Sequence, residues 1–350
     1  MKKKNILSIF ILFLVLGIGA MNVQKVFSLF SSEKIHTSSV QPMNSEKEDS
    51  SKVEKNEKLK LYELIGKDKQ SVIELLGEPA RIDASEYDYD WWIYNEPLSN
   101  YCQIGMEDDK VVTVFVMGDG IDIAPFHIGQ PLNTNKNMVN LSDKVAFEVD
   151  KNLYQFELTA DEVRTIPLVQ YKNIWAQINI DKFSKKVSSI RFLDARTLVK
   201  IRPYELVYRG ELISATKTDP GAWDEIEKGK ALQILDMTNV LRERYGLGHV
   251  TWDEPTAIVA YSHSREMFEE EYFSHSSPTY GNLSDRLVNG GVNFSAAGEN
   301  IAARYVDAIS VVEGWLNSEG HRTTLLNKDF THLGVGVYEK YYTQNFIKAW

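Results

Sequence analysis

Five of the seven histidines in this 350-residue chain fall in its last third: His249, His263, His275, His321 and His332. An imidazole with a pKa of about 6.5 serves at neutral pH as a metal ligand or as a general base. Two imidazoles and a carboxylate bind zinc and leave a position for water. The same three groups supply a base and its orienting partner. They also satisfy one another by hydrogen bonding, pinning loops without doing chemistry. Ser318 precedes His321 by three residues, a hint of a nucleophile and its base, but no Gly-x-Ser-x-Gly elbow surrounds it. His263 lies four residues before Met267 on a partly apolar helical face, where a structural histidine is a simpler reading than a ligand. Cys102 stands alone, which excludes an intrachain disulfide and a cysteine-based zinc site.

The elements that must hold these residues can be read from pattern. A helix is expected over Ala222–Tyr245, ended by Gly246, and a second from the Asp253 cap to about Tyr272, with Pro255 in its first turn. Asp307 caps a third, Ala308–Ser318. Val335–Val337 and Tyr342–Ile347 read as strands. Upstream, a first folded region spans Leu61 to Val207 and carries an internal repeat of two α-plus-three-strand units. One unit opens at Ile65-Gly66, with a helix over Lys69–Leu76 stopped by Gly77. Strands follow at Asp90–Tyr94, Tyr101–Met106 and Val111–Val116. The other opens at Ile128-Gly129, with strands at Leu153–Leu158, Ile174–Ile180 and Val187–Leu193. Trp91, Trp92, Tyr94 and Tyr101 offer an aromatic recognition surface, although neighbouring strand residues face opposite ways and one tryptophan must enter the core.

Lys2, Lys3 and Lys4 precede an uncharged apolar run from Ile6 to Val23. Its ~18 residues just span a bilayer core. Ile18 is too bulky for the small position before a cleavage site at Ala20, so the run reads as an uncleaved signal anchor ahead of a cleaved signal peptide. The lysines keep the N-terminus cytoplasmic and the rest outside. Residues 31–58 are Ser-, Glu- and Lys-rich, the composition of a disordered tether. The formal charge of -10 argues against nucleic acid as the main partner.

Several motifs then occur in order: Phe273-Ser274-His275, Gly298-Glu299-Asn300, Gly314-Trp315, Gly320-His321-Arg322, Leu325-Leu326-Asn327, Leu333-Gly334-Val335-Gly336-Val337 and Tyr342-Thr343-Gln344-Asn345-Phe346. Together they resemble the CAP superfamily, the cysteine-rich secretory, antigen 5 and pathogenesis-related (SCP-domain) proteins, over residues 222–350. Residues 60–207 resemble the N-terminal domain that accompanies CAP domains in some Gram-positive bacteria. The fold class this implies is α+β: a C-terminal α-β-α sandwich, a tandem α+β domain before it, and a membrane-targeting helix (residues 1–25) with its tether (26–59).

The resemblance also implies a cavity lined by two histidines and two acids. His275, Glu299 and His321 match three of these positions. The second acid falls on Ser318, and Glu319 is about 100° further round a helix, which weakens any two-acid mechanism. His263, Glu319 and Arg322 are candidate supporting residues, and His275 with His321 a candidate site for a divalent metal such as zinc, with no cofactor required. Relatives are implicated in lipid, sterol, metal and protein binding. The expected function is a non-enzymatic extracytoplasmic module, membrane-tethered or secreted, that binds an extracellular protein or a small apolar ligand. The alternative is a metal-assisted hydrolase acting on cell-wall peptide, protein or nucleic acid. A third reading has the tandem domain dock a cell-wall protein or enzyme.

Overall fold

The computed structural model describes residues 60–132 and 141–350. The apolar run and the tether expected before residue 60 lie outside them. The described residues belong to one compact unit. Among them no helix is long and apolar enough to cross a membrane.

The first region opens with α1 (Lys69–Leu76), then β1 (Arg81–Asp83), β2 (Asp90–Tyr94), β3 (Cys102–Glu107) and β4 (Lys110–Val116). Asp68 caps α1 by accepting from Ser71 N–H at 3.0 Å, and Gly77 stops it with φ +79°. The second half runs β5 (Lys144–Val149), β6 (Asn152–Glu157), α2 (Ala160–Thr165), β7 (Leu168–Tyr171), β8 (Ile174–Asp181), β9 (Lys186–Leu193), α3 (Ala195–Ile201) and β10 (Glu205–Arg209).

The two halves share one local hydrogen-bond pattern. Gly66 N–H donates to Val111 O, and Val111 N–H donates back to Lys67 O. In the other half Gly129 N–H donates to Val187 O, and Val187 N–H donates to Gln130 O. Both glycines take a left-handed φ, +82° and +77°, that side chains resist. The two halves meet edge to edge in a seven-stranded sheet ordered β1-β2-β3-β4-β9-β8-β7. One expectation needs correcting. The strand read over Leu153–Leu158 is not part of that meander; as β6 it joins a separate sheet, β10-β6-β5, and β7 takes the third place. Leu168–Tyr171 is only four residues long and follows a proline, so the pattern signal there is weak.

The C-terminal region contains α4 (Trp223–Arg244), β11 (Thr251–Trp252), α5 (Glu254–Glu269), α6 (Leu283–Asn289), β12 (Ala296–Ala303), α7 (Ala308–Leu316), α8 (Glu319–Leu325), β13 (His332–Tyr338) and β14 (Tyr341–Lys348). The sheet order is β11-β13-β14-β12. Strand alternation sorts its two faces. Gly334 and Gly336 lie directly under α5, where a Cβ would meet the backbone of Ala257 and Tyr261. Leu333, Val335 and Val337 face the other way and join the apolar core with Ile234, Met237 and Leu241 of α4. This is the expected α-β-α sandwich.

The two regions share that core. Tyr87, Tyr89, Trp91 and Tyr101 belong to the same cluster as Ile234, Met237, Trp315 and Phe346. Trp92 points into the opposite face of the large sheet, with Val72 and Ile104. Both tryptophans and Tyr101 are therefore buried, and Tyr94 is only partly exposed, its hydroxyl donating to Gly77 O at 3.0 Å. No aromatic platform exists at these positions. At the seam Arg191, 1% exposed, pairs with Asp307 at the start of α7 and donates to Tyr89 Oη at 2.6 Å. Lys230 pairs with Glu86 at 2.6 Å, and Arg81 with Asp236 at 2.6 Å.

Candidate functional site

Glu299 sits near the middle of β12. Its side chain is 3% exposed, and both oxygens are engaged. One lies 2.9 Å from His275 Nδ1; the other is bound by the Arg286 guanidinium. Arg286 comes from α6, which starts at a capping box made by Asn282 and Asp285. Its Nη1 also donates to His275 O at 2.7 Å. The arginine therefore holds both the carboxylate and the backbone of the loop that presents His275. Sequence reasoning did not find it, although a carboxylate this deep requires a cation.

Asn300, next along the strand, turns to the opposite face. Its Nδ2 donates to His321 O at 3.2 Å and to Gln344 Oε1 at 3.0 Å. Two neighbouring residues of the Gly-Glu-Asn motif thus organise the two histidine-bearing segments from opposite sides of one strand. His321, in the first turns of α8, has its Nδ1 2.8 Å from Ser318 Oγ. Ser318 stands where the family has an acid, and it makes the orienting contact through a hydroxyl. Burial, reinforced by the nearby His275, holds the His321 pKa below the ordinary histidine value.

The supporting candidates separate. His263 is buried, with Nε2 3.0 Å from Ser274 O and Nδ1 3.4 Å from the Tyr272 hydroxyl. It stands behind the His275 loop. Burial, and then the Arg286 charge, lower its pKa, against the pull of Glu299. Glu319 is exposed in the first turn of α8. Arg322 leaves the site altogether. It forms a two-pronged pair with Asp181 of β8 at 3.0 and 3.1 Å, and stacks over Phe183 and Tyr245. It clamps the C-terminal region onto the tandem domain.

A cleft of about 510 Å³ opens beside His321 and Ser318. Phe273, Ile301, Tyr305 and Trp315 form much of its wall, while His275 and Glu299 are not among its lining residues. The structure therefore brings His275 onto Glu299 and His321 onto Ser318, as two adjacent pairs. Among the described residues no three His, Cys, Asp or Glu side chains converge to hold a metal ion. With Glu299 neutralised by Arg286, the donor set does not fit a three-ligand zinc centre.

Fold and site together define an SCP-domain protein with an accessory N-terminal domain. Residues 235–349 match the family described as Cysteine-rich secretory protein family, and residues 65–204 match CAP-associated N-terminal. The chain belongs to the CAP superfamily. It is 51% identical over 290 residues to the "Uncharacterized membrane protein YlbC" of Bacillus subtilis (strain 168), covering 83% of this chain and 84% of that one. "Uncharacterized protein YkwD" of the same organism is 38% identical over 139 residues, 39% of this chain and 52% of that one. Among solved structures, an extracellular protein containing a SCP domain from Bacillus anthracis str. Ames shares 43% identity at a TM-score of 0.80, covering 86% of this chain and 99% of that one. A cysteine-rich secretory protein from Staphylococcus aureus subsp. aureus Mu50 shares 25% identity at 0.72, covering 81% and 94%.

Proposed function

We propose that this protein is a membrane-tethered, extracytoplasmic binding module that receives its ligand in the cleft beside His321 without turning it over. The observation that carries the reading is the state of the acids. Glu299 is paired on both oxygens with Arg286 and His275, and Ser318 supplies no charge to His321. A general base needs a group free to take a proton and a partner that stabilises the resulting cation. In the His275–Glu299 pair the carboxylate that would stabilise an imidazolium is already compensated by Arg286, and in the His321–Ser318 pair the partner carries no charge. The apolar run at Ile6–Val23 supports the tether, as do the relative named a membrane protein and the solved relative named extracellular.

The test uses full-length protein in its native cells, with a photo-crosslinking benzoylphenylalanine in place of Phe273, which lines the cleft and is 53% exposed. The same probe at Tyr208 is the control. Fractionation should place the protein in the membrane, with its C-terminal part open to external protease. A discrete adduct is expected at 273 and not at 208. Purified protein should leave cell-wall peptide, protein and nucleic acid intact, with and without zinc. Turnover abolished by His321→Ala would replace this reading with the metal-assisted hydrolase.

A further inference from the structure

Four consecutive residues, Ile301, Ala302, Ala303 and Arg304, line the His321 cleft. Successive strand residues face opposite ways, so an opening lined by all of them lies along the strand's edge, not over either face. β12 is the last strand of its sheet, paired with β14 on one side only. Arg304 N–H donates to Lys340 O at 2.8 Å, which fixes the phase of the ladder. Antiparallel alternation then turns the backbone groups of Ala303 and Ile301 outward, away from β14. Ile301 O is taken by Trp315 Nε1 at 3.2 Å. Both backbone groups of Ala303, a residue that lines the cleft, are left without a strand partner, as is the N–H of the more buried Ile301.

The flanks and charges suit a second strand. Tyr341 lies directly across from Ala303 and, with Phe273, gives an apolar wall on one side. Trp315 and His321 stand on the cleft's remaining border. No Asp or Glu lines it. Arg304 is exposed, and its guanidinium has no hydrogen-bond or ion-pair partner among the described residues. It is held in the left-handed region at φ +68°.

We infer that the ligand is an extended peptide segment, which adds as a short strand to the β12 edge beside Ala303 and sets a carboxylate on Arg304. Main-chain pairing supplies affinity, and alternate side-chain pockets with the guanidinium supply selection. The inference rests on the binding-module reading and names its ligand class. The carboxylate comes from an acidic side chain or from a peptide C-terminus.

Fluorescence anisotropy of full-length protein in detergent micelles tests it. The probes are fluorescein-labelled hexapeptides of alternating Thr and Val: one with a free C-terminus, one amidated, one amidated with an internal Glu, and a free-acid version N-methylated at alternate residues. The carboxylate peptides should bind at least about tenfold tighter than the neutral amide, the worth of a hydrogen bond to a charged group. Whichever carboxylate peptide gains identifies the source. N-methylation, which deletes the ladder donors, should abolish binding. Arg304→Asn, a residue that tolerates the left-handed region, should erase the carboxylate preference. Unimpaired binding of the N-methylated peptide, or a preference surviving in Arg304→Asn, overturns the inference. If no peptide binds or competes while the crosslinker at 273 still captures its adduct, strand addition fails and the binding-module reading stands. Absence of any adduct removes both.

Discussion

Glu299, His275, His321 and Ser318 divide into two hydrogen-bonded pairs, and each pair makes a different prediction. The His321 pKa is depressed first by burial and then by the charge of His275. His275→Ala should therefore raise it toward the ordinary value, read by carbon-13 NMR of histidine-labelled protein. No change would mean the two rings lie beyond electrostatic reach. A depressed histidine pKa makes the folded state poorer in protons than the unfolded chain. This contribution to stability is complete above the unfolded value of about 6.5 and falls away as the pH drops through the folded value. Ser318→Asp would place a carboxylate against Nδ1, where the family pattern has one. It should raise the His321 pKa in the same spectra, because the imidazolium gains an opposite charge within ~4 Å. A protein that then turned over substrate would show that this hydroxyl keeps the site inert.

At the scale of elements, the legibility of the sequence followed the strength of local signals. α1 and β2 were read to the residue because Asp68, Gly77 and the β-rich run Asp90–Tyr94 are unambiguous. α4, α5 and α7 were placed within a few residues by their caps and periodicity. β12 was not read as a strand, although it carries Glu299. Its sequence Ala296–Ala303 is rich in alanine and has poor strand propensity, and it is a strand because β14 pairs with it along its whole length. α6 was missed for a similar reason: seven residues with one capping box give little periodicity. The histidines were legible as a constellation because they sit in dense motifs. Arg286 was not, since nothing in the sequence places α6 over Glu299. The layering of the sandwich rests on glycines that pattern analysis also passes over. A Cβ at Gly336 would stand 1.9 Å from Tyr261 N and 2.2 Å from Ala260 C. These are backbone atoms of α5 and cannot rotate aside. Gly336→Ala should push α5 off the sheet and cost about 3 kcal/mol or more, measured as a fall in the urea midpoint. An unchanged midpoint would mean that α5 packs further from β13 than the structure shows.

Over the whole molecule, the tandem domain and the CAP domain share one core and should unfold together. Tyr89, Trp91 and Arg191 on one side and Asp307, Trp315 and Ile234 on the other are buried against a common interior. Ion pairs cross the seam from Arg191 to Asp307 and from Arg322 to Asp181, and removing one partner of the buried Arg191–Asp307 pair would leave the other charge uncompensated. Glu313 makes the junction sensitive to pH. It projects from α7 onto β9, where the Ser188 and Ser189 hydroxyls donate to one oxygen, and Arg244 is close enough to favour its charge. Burial outweighs these partners and pushes its pKa up to about 7. The folded state therefore keeps a proton that the unfolded chain releases at about 4.5. Stability from this group is fully present below about 4.5 and is lost as the pH rises through about 7, to the extent of roughly 3 kcal/mol. Glu227 of α4 is raised to about 7 by burial as well, so part of the slope belongs to it. Glu313→Gln keeps an acceptor for the serines and cannot ionise. Urea unfolding of the wild type should be a single transition, coincident by tryptophan fluorescence and circular dichroism, and its midpoint relative to that of Glu313→Gln should fall from pH 5 to pH 8, the depressed His263 and His321 being common to both. The variant should be the more stable of the two at pH 8. Two separate transitions in the wild type would show that the domains hold independent cores, and the Glu313 slope would then measure their docking, not the folding of the molecule.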